Sequence, residues 1–292
     1  MIEGWAPKDE SYHLRFGIEY HSAIQDYDMA RAEGVSHEKS IHRAVRNLLT
    51  RIHTWDVDIH TKAGNYKNRG TLLQLVVDYF DFFAQDPAET FILENGKAAV
   101  ELSFKFEMDW GPYNPRIELD IPHGHPSSTP QPYILCGHLD RVVNYQGNLF
   151  VVDHKTTTTT PSSYFFNQFE PNNQMTLYTL ASQIVLDAPV KGVIVEASQI
   201  LLTGPSRFVR SITYRTKDQL DEWVGDLHHL LAIAEHYATT NYWPMNDTAC
   251  DKFGGCKFRE VCSKSPSVRQ NFLKADFVKL PEEEKWNPLK PR

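Results

Sequence analysis

The first third of the chain alternates apolar and polar residues with a helical period. Between Leu14 and about Glu33, Phe16, Tyr20 and Ile24 recur at helical spacing until Gly34, which predicts one helix. Ser36 stands where an N-cap belongs, ahead of a second helix with Ile41, Ala44, Val45, Leu48, Leu49 and Ile52 on one side. A third runs from about Thr71 to Ala84, carrying Leu72, Leu75, Val76, Tyr79, Phe80 and Phe83. The period then falls to two: Val100, Leu102, Phe104 and Phe106 alternate with Glu101, Ser103 and Lys105, which predicts a half-buried strand over Ala98 to Phe106.

Two further strands are expected over Tyr133 to Val143 and Asn148 to Lys155, joined at Gly147, and the polar run Thr156 to Ser163 reads as a loop. Asn172 or Asn173 can cap a helix with Leu177, Leu180, Ala181 and Ile184 as its apolar stripe. Strands over Lys191 to Leu202 and Arg207 to Tyr214 follow. Thr216 with Gln219 then makes a capping box for an amphipathic helix that includes Leu220, Trp223 and Leu227. Pro112 to Pro132 is too rich in proline for a central strand and reads as a surface loop in which His123 and His125 are exposed rather than ligands. No repeat or linker interrupts the order. The expectation is one α/β domain: a mainly helical part at 1–97, a core with a mixed sheet at 98–215, and a C-terminal helix, cysteine segment and tail at 216–292.

At 292 residues, with 41% hydrophobic and 23% charged, the chain has ample material for a core and no signature of disorder. A net charge of -7 argues against a uniformly basic coat, yet a local basic groove remains compatible with it. No window reaches the roughly 18 consecutive apolar residues of a membrane span, and the N-terminus MIEGWAPKDE lacks a signal-peptide core. A cytoplasmic setting without membrane partners is the expectation. Of the four cysteines, three crowd into 250–262, which favours a metal or cluster site over a disulfide framework.

The chemistry concentrates in Gly137-His-Leu-Asp140 on one strand and Asp153-His-Lys155 on the next. A period of two puts Asp153 and Lys155 on one face beyond Leu149 and Val151, where unpaired charge would be costly. They either close the strand as an ion pair or hold a hard divalent cation such as Mg2+ between paired carboxylates.

With Gly17-x-x-x-His21 upstream and Gln174-x-x-x-Tyr178 downstream, the chain resembles the PD-(D/E)XK nuclease superfamily, in its RecB-like branch of phage and CRISPR-associated exonucleases. The resemblance covers about 14–262, and the four motifs stand in the family's order. It implies a restriction-endonuclease-like core whose Mg2+ or Mn2+ is held by His21, Asp140, Asp153 and the carbonyl of His154. Gly17 would permit close approach, Lys155 would act on the attacking water, and Gln174 and Tyr178 would position Lys155 or the phosphate. Glu101 resembles an acidic position upstream in such nucleases without being assigned to the metal.

Cys250, Cys256 and Cys262, with Gly254 and Gly255 between them, read as ligands on a turn. By the resemblance they belong to a structural [4Fe-4S] cluster. The fourth ligand is unidentified, since no cysteine precedes His21 and Cys136 lies on the Asp140 strand; zinc or reduced thiols are the other readings. The implied function is a metal-dependent deoxyribonuclease, an exonuclease on single-stranded DNA or free ends, in recombination, replication or repair in a prokaryotic or phage-infected cell. A non-catalytic DNA-binding or assembly subunit and a structure-selective endonuclease are the competing readings. Arg43, Arg46 and Arg51 on the second helix, and Arg207, Arg210 and Arg215 around the Arg207 to Tyr214 strand, are either candidate phosphate contacts or solvated charged faces. Tyr164, Phe165 and Phe166 are candidates either for stacking on bases or for burial as ordinary core.

Overall fold

A computed structural model describes residues 4–8, 11–108, 133–251 and 255–281. The Pro-rich stretch with His123 and His125, and Gly254, lie outside the described residues. The chain divides into two compact units, a larger one built from Ser11–Met108 and Tyr133–Gly225 and a smaller one holding the described parts of Met1–Glu10 and Asp226–Lys290.

The larger unit opens with three of the expected helices: α1 (Tyr12–Ala32), α2 (His37–Ile52) and, after a short α3 (Lys62–Tyr66), α4 (Arg69–Phe82). Ser36 occupies the N-cap position of α2 without a side-chain bond, whereas α4 begins with a full capping box between Asn68 and Thr71. Phe16, Tyr20, Ile24, Leu48, Ile52, Leu72, Leu75 and Phe80 are all buried in one cluster between these helices. Each large side chain so buried contributes about 1.5–3 kcal/mol. Leu49 is the exception, since it turns outward.

The sheet has six strands: β2 (Glu89–Thr90), β3 (Val100–Glu107), β4 (Ile134–Tyr145), β5 (Asn148–Thr157), β6 (Val190–Gln199) and β7 (Arg207–Tyr214). β4 has β2 and β3 along one edge and β5 along the other, all antiparallel, while β5 and β6 run parallel and β6 and β7 antiparallel. The β4–β5 hairpin turns at Gln146 and Gly147, both with positive φ, as a two-residue turn between twisted strands requires. The parallel pair needs a crossover, supplied by α5 (Ser163–Phe166) and α6 (Asn173–Leu186).

The alternation expected for β5 holds. Leu149 and Val151 pack in the cluster containing Met175 and Ala181 of α6, and Phe150 and Val152 pack on the other face with Ile194. The expected stripe of α6 holds in part: Leu177 and Ala181 pack in the Met175 cluster, but Ile184 is exposed, and the other buried positions are Met175, Thr176, Thr179 and Ser182. The three hydroxyls satisfy themselves on backbone carbonyls of the preceding turn, which lets polar residues face a core. The Thr216–Gln219 box is made in both directions at the start of α7 (Lys217–Thr240).

In the smaller unit β1 (Trp5–Pro7) pairs antiparallel with β8 (Phe277–Lys279), after α8 (Arg259–Cys262) and α9 (Arg269–Asp276). The Phe258 and Phe277 rings stack with centroids 4.5 Å apart. No helix among the described residues is long and apolar enough to cross a membrane.

Candidate active site

β4 and β5 pair as far as Arg141 opposite Val152. One position further the ladder gives way to a side chain, as Asp140 Oδ2 accepts the backbone N–H of His154 at 3.0 Å. On the other edge of β4, Val100 pairs with Arg141 and Leu102 with Leu139, so Glu101 stands across from Asp140. Glu101 has φ +48°, a conformation uncommon outside glycine and asparagine, and is buried rather than on the outward face that its alternation predicts. His21, on α1 one turn beyond Gly17, brings Nδ1 to 3.3 Å from the same Asp140 Oδ2. One ligand atom from each of His21, Glu101 and Asp140 lies within 4.8 Å of the others.

Burial pulls the His21 imidazolium down, but the Asp140 carboxylate outweighs it, and the pKa is raised above 6.5. Asp140 is itself buried, which would raise its pKa, yet His21 and the hydrogen bond from His154 hold it below the usual carboxylate range. Asp153 behaves in the opposite sense: burial raises it, and Lys155 compensates only in part. Two neighbouring carboxylates are thus set differently by their surroundings.

Lys155 Nζ is 2.8 Å from Asp153 Oδ2 and donates to Asp153 Oδ1 at 3.0 Å and to Gln174 Oε1 at 3.0 Å. Gln174 Nε2 in turn donates to the Tyr178 hydroxyl, 3.1 Å away and one turn further along α6. Asn172 caps that helix by accepting from the Gln174 and Met175 amides, which fixes the first turn where Gln174 sits. Gly137 serves packing on the same strand as Asp140, since a Cβ there would come within 2.7 Å of the Phe104 ring.

One imidazole and carboxylates converging on a common point form a mixed nitrogen and hard-oxygen donor set, which suits Mg2+ or Mn2+. The cysteine segment lies in the smaller unit. Cys250, Cys256 and Cys262 are free and half-buried, the Cys256 N–H donates to the Cys250 carbonyl at 2.8 Å, and Gly255 has φ +106°. Three thiols leave the four-thiolate set of a [4Fe-4S] cluster incomplete. Cys136, in the larger unit, is free and half-buried opposite Lys105.

Some expected roles change. A Cβ on Gly17 would meet nothing within 4 Å, so that glycine does not serve close approach of the protein's own atoms. Arg210 is held by Glu196 and Asp86, and Arg215 by Thr176, Thr213 and the Phe169 carbonyl. Arg51 bridges Glu19 and Asp26, and Arg43 pairs with Glu33. Arg51, Arg210 and Arg215 are engaged within the fold, whereas the Arg43–Glu33 pair lies on the surface and Arg46 and Arg207 project into solvent. Phe165 and Phe166 pack on the core beside Phe169, whereas Tyr164 is 86% exposed. Glu196 was not among the expected site residues; its signal is a carboxylate inside the apolar run Val193-Ile-Val-Glu-Ala.

The family model described as PD-(D/E)XK nuclease superfamily matches residues 2–263. Among solved structures, the chain is similar to a crystal structure of a "Putative exonuclease" from Eubacterium rectale, with 11% identity and a TM-score of 0.45, covering 91% of this chain and 81% of that one. No curated protein matches.

Proposed function

The chain belongs to the PD-(D/E)XK nuclease superfamily, and from that premise we propose that it is a divalent-metal-dependent deoxyribonuclease, an exonuclease acting on single-stranded or free-ended DNA. His21, Asp140, Asp153 and the His154 carbonyl, joined by Glu101, would hold Mg2+ or Mn2+, which when bound polarises the phosphoryl oxygen and lowers the pKa of water. The protein's own work is positioning. Asp140 is fixed by His21 and the His154 amide, and Lys155 is held from two sides by Asp153 and Gln174. So held, the Lys155 ammonium orients the attacking water and meets charge developing on the phosphate. Tyr178 keeps the Gln174 amide turned so that its oxygen faces Lys155.

The observation that carries this reading is the adjacency of the His21, Glu101 and Asp140 donor set to the Asp153, Lys155 and Gln174 chain. Asp153→Ala tests it: the variant folds and loses metal-dependent cleavage, and an active variant overturns the assignment. The preference for ends rests on the family branch that the motifs resemble, and a circular substrate tests it. Recombination, replication or repair is the setting this activity fits. The cysteine segment is read as the seat of a structural iron–sulfur centre, or of zinc with a non-cysteine fourth ligand; assays of iron, zinc and acid-labile sulfide on protein purified without oxygen distinguish them.

A further inference from the structure

Behind the Asp153 face the same strands carry a row of charges that the proposed hydrolysis does not use. His154 on β5, Glu196 on β6 and Arg210 on β7 are partners in strand register. Glu196 is fully buried. His154 Nδ1 is 2.8 Å from Glu196 Oε1, and Arg210 reaches Glu196 Oε2 through Nε at 2.6 Å. Arg210 also grips Asp86 at 2.6 and 2.8 Å and lies over the Phe83 ring, 4.2 Å from its centroid. A carboxylate facing a guanidinium can only accept, so the His154 proton sits on Nδ1 and is donated to Glu196.

Stability alone gives little reason for such a row, because a buried ion pair is about as stable as well-packed apolar residues of the same volume. Its geometric consequence is more specific. The imidazole is clamped on one face of the sheet while the N–H of the same residue holds Asp140 Oδ2 at 3.0 Å. That oxygen is the one His21 Nδ1 approaches at 3.3 Å.

We infer that Glu196 is a positioning residue: through His154 Nδ1 it fixes the tilt of the His154 peptide, and thereby the direction in which Asp140 presents its carboxylate to the cation. Arg210 and Asp86 anchor the far end of this relay. The inference rests on the nuclease reading and extends it to the face of the sheet on which α1 packs, where the His154 ring stands 5.9 Å from that of His21. Outer partners that orient metal ligands of this kind change metal affinity by about 10- to 100-fold when altered.

Three variants of the full chain test it. Glu196→Gln leaves one acceptor oxygen for two donors, Arg210 and His154 Nδ1–H, and removes the charge that holds His154. His154→Leu removes the donor but leaves Glu196 paired with Arg210, so a variant is available even where Glu196→Gln does not fold. His154→Asn keeps a donor near the Nδ1 position. Mn2+ binding is measured without DNA by titration calorimetry and by the rise in Tm on adding the ion. The inference expects the Mn2+ Kd to rise about tenfold or more in Glu196→Gln and His154→Leu, with the Tm response reduced, and to return towards wild type in His154→Asn. Folded variants that all bind Mn2+ as wild type does, beside a wild type that binds and cleaves, overturn this inference alone. A wild type that binds no Mn2+ overturns the nuclease reading and this inference with it.

Discussion

Lys155 Nζ donates to Gln174 Oε1 at 3.0 Å, joining the end of β5 to the first turn of α6. The contact matters because a lysine held only by Asp153 would neutralise that carboxylate rather than face a substrate. With Gln174 on its other side, the ammonium is directed between the two. Gln174→Ala is therefore expected to lower kcat for DNA cleavage by about tenfold or more, with KM changed much less. Tyr178→Phe removes only the support of the Gln174 amide and gives the smaller loss. Steady-state kinetics on a labelled strand check both, and a pure KM effect would contradict this role.

Glu101 makes a sharper test of the donor set, because its backbone sits at φ +48° to bring the carboxylate beside His21 and Asp140. Glu101→Gln keeps the shape and weakens an oxygen donor. Its Mn2+ Kd is expected to rise about tenfold, with the metal-free Tm little altered. An unchanged Kd would remove Glu101 from the site.

The pH dependence has a definite sign. The His21 pKa is raised above 6.5 by Asp140 against burial, and that of His154 is raised by Glu196 against burial. In metal-free protein the resulting stabilisation is fully present below the unfolded value of about 6.5 and is lost as pH rises through the folded values. The Tm of chelator-treated protein should therefore fall as pH climbs above about 6.5, and His21→Asn should flatten that fall. Mn2+ binding should strengthen over the same window, because the ion competes with the proton for the His21 imidazole. A metal-free Tm that rises with pH there would contradict the assignment.

The arginines separate into two classes with opposite readouts. Arg210→Ala leaves the buried Glu196 without its counter-charge and should destabilise the fold by about 3–5 kcal/mol, read from denaturant unfolding. Arg46→Ala and Arg207→Ala remove exposed charge. They should leave unfolding unchanged while weakening DNA binding and lowering its salt dependence, if their surfaces meet the backbone of the strand. Equal stability across all three would show that the Arg210 row carries no structural load.

What was legible in the sequence was whatever a regular period could display. Asp153 and Lys155 share a face because β5 is a plain strand, and Gln174 and Tyr178 share one because α6 is a plain helix. Glu101 escaped that logic, since one residue in a left-handed conformation turned a polar-face carboxylate into the site. The arginines on and after β7 looked like a phosphate patch because sequence separates Arg210 from Glu196 by a strand and a turn, whereas strand pairing sets them side by side. The buried face of α6 was hidden for a different reason: Thr176, Thr179 and Ser182 satisfy their hydroxyls on their own helix, and a search for apolar positions passes over them.

Cleavage of end-labelled linear single-stranded DNA and of circular DNA in Mg2+, Mn2+ or EDTA, with wild type beside Asp153→Ala and Lys155→Ala, tests the nuclease assignment most directly. Loss of the linear strand with either metal, absent in EDTA and in both variants, with circular DNA spared, is the predicted result. A folded, metal-binding wild type that leaves every substrate intact, or variants that cleave as well as wild type, would contradict it.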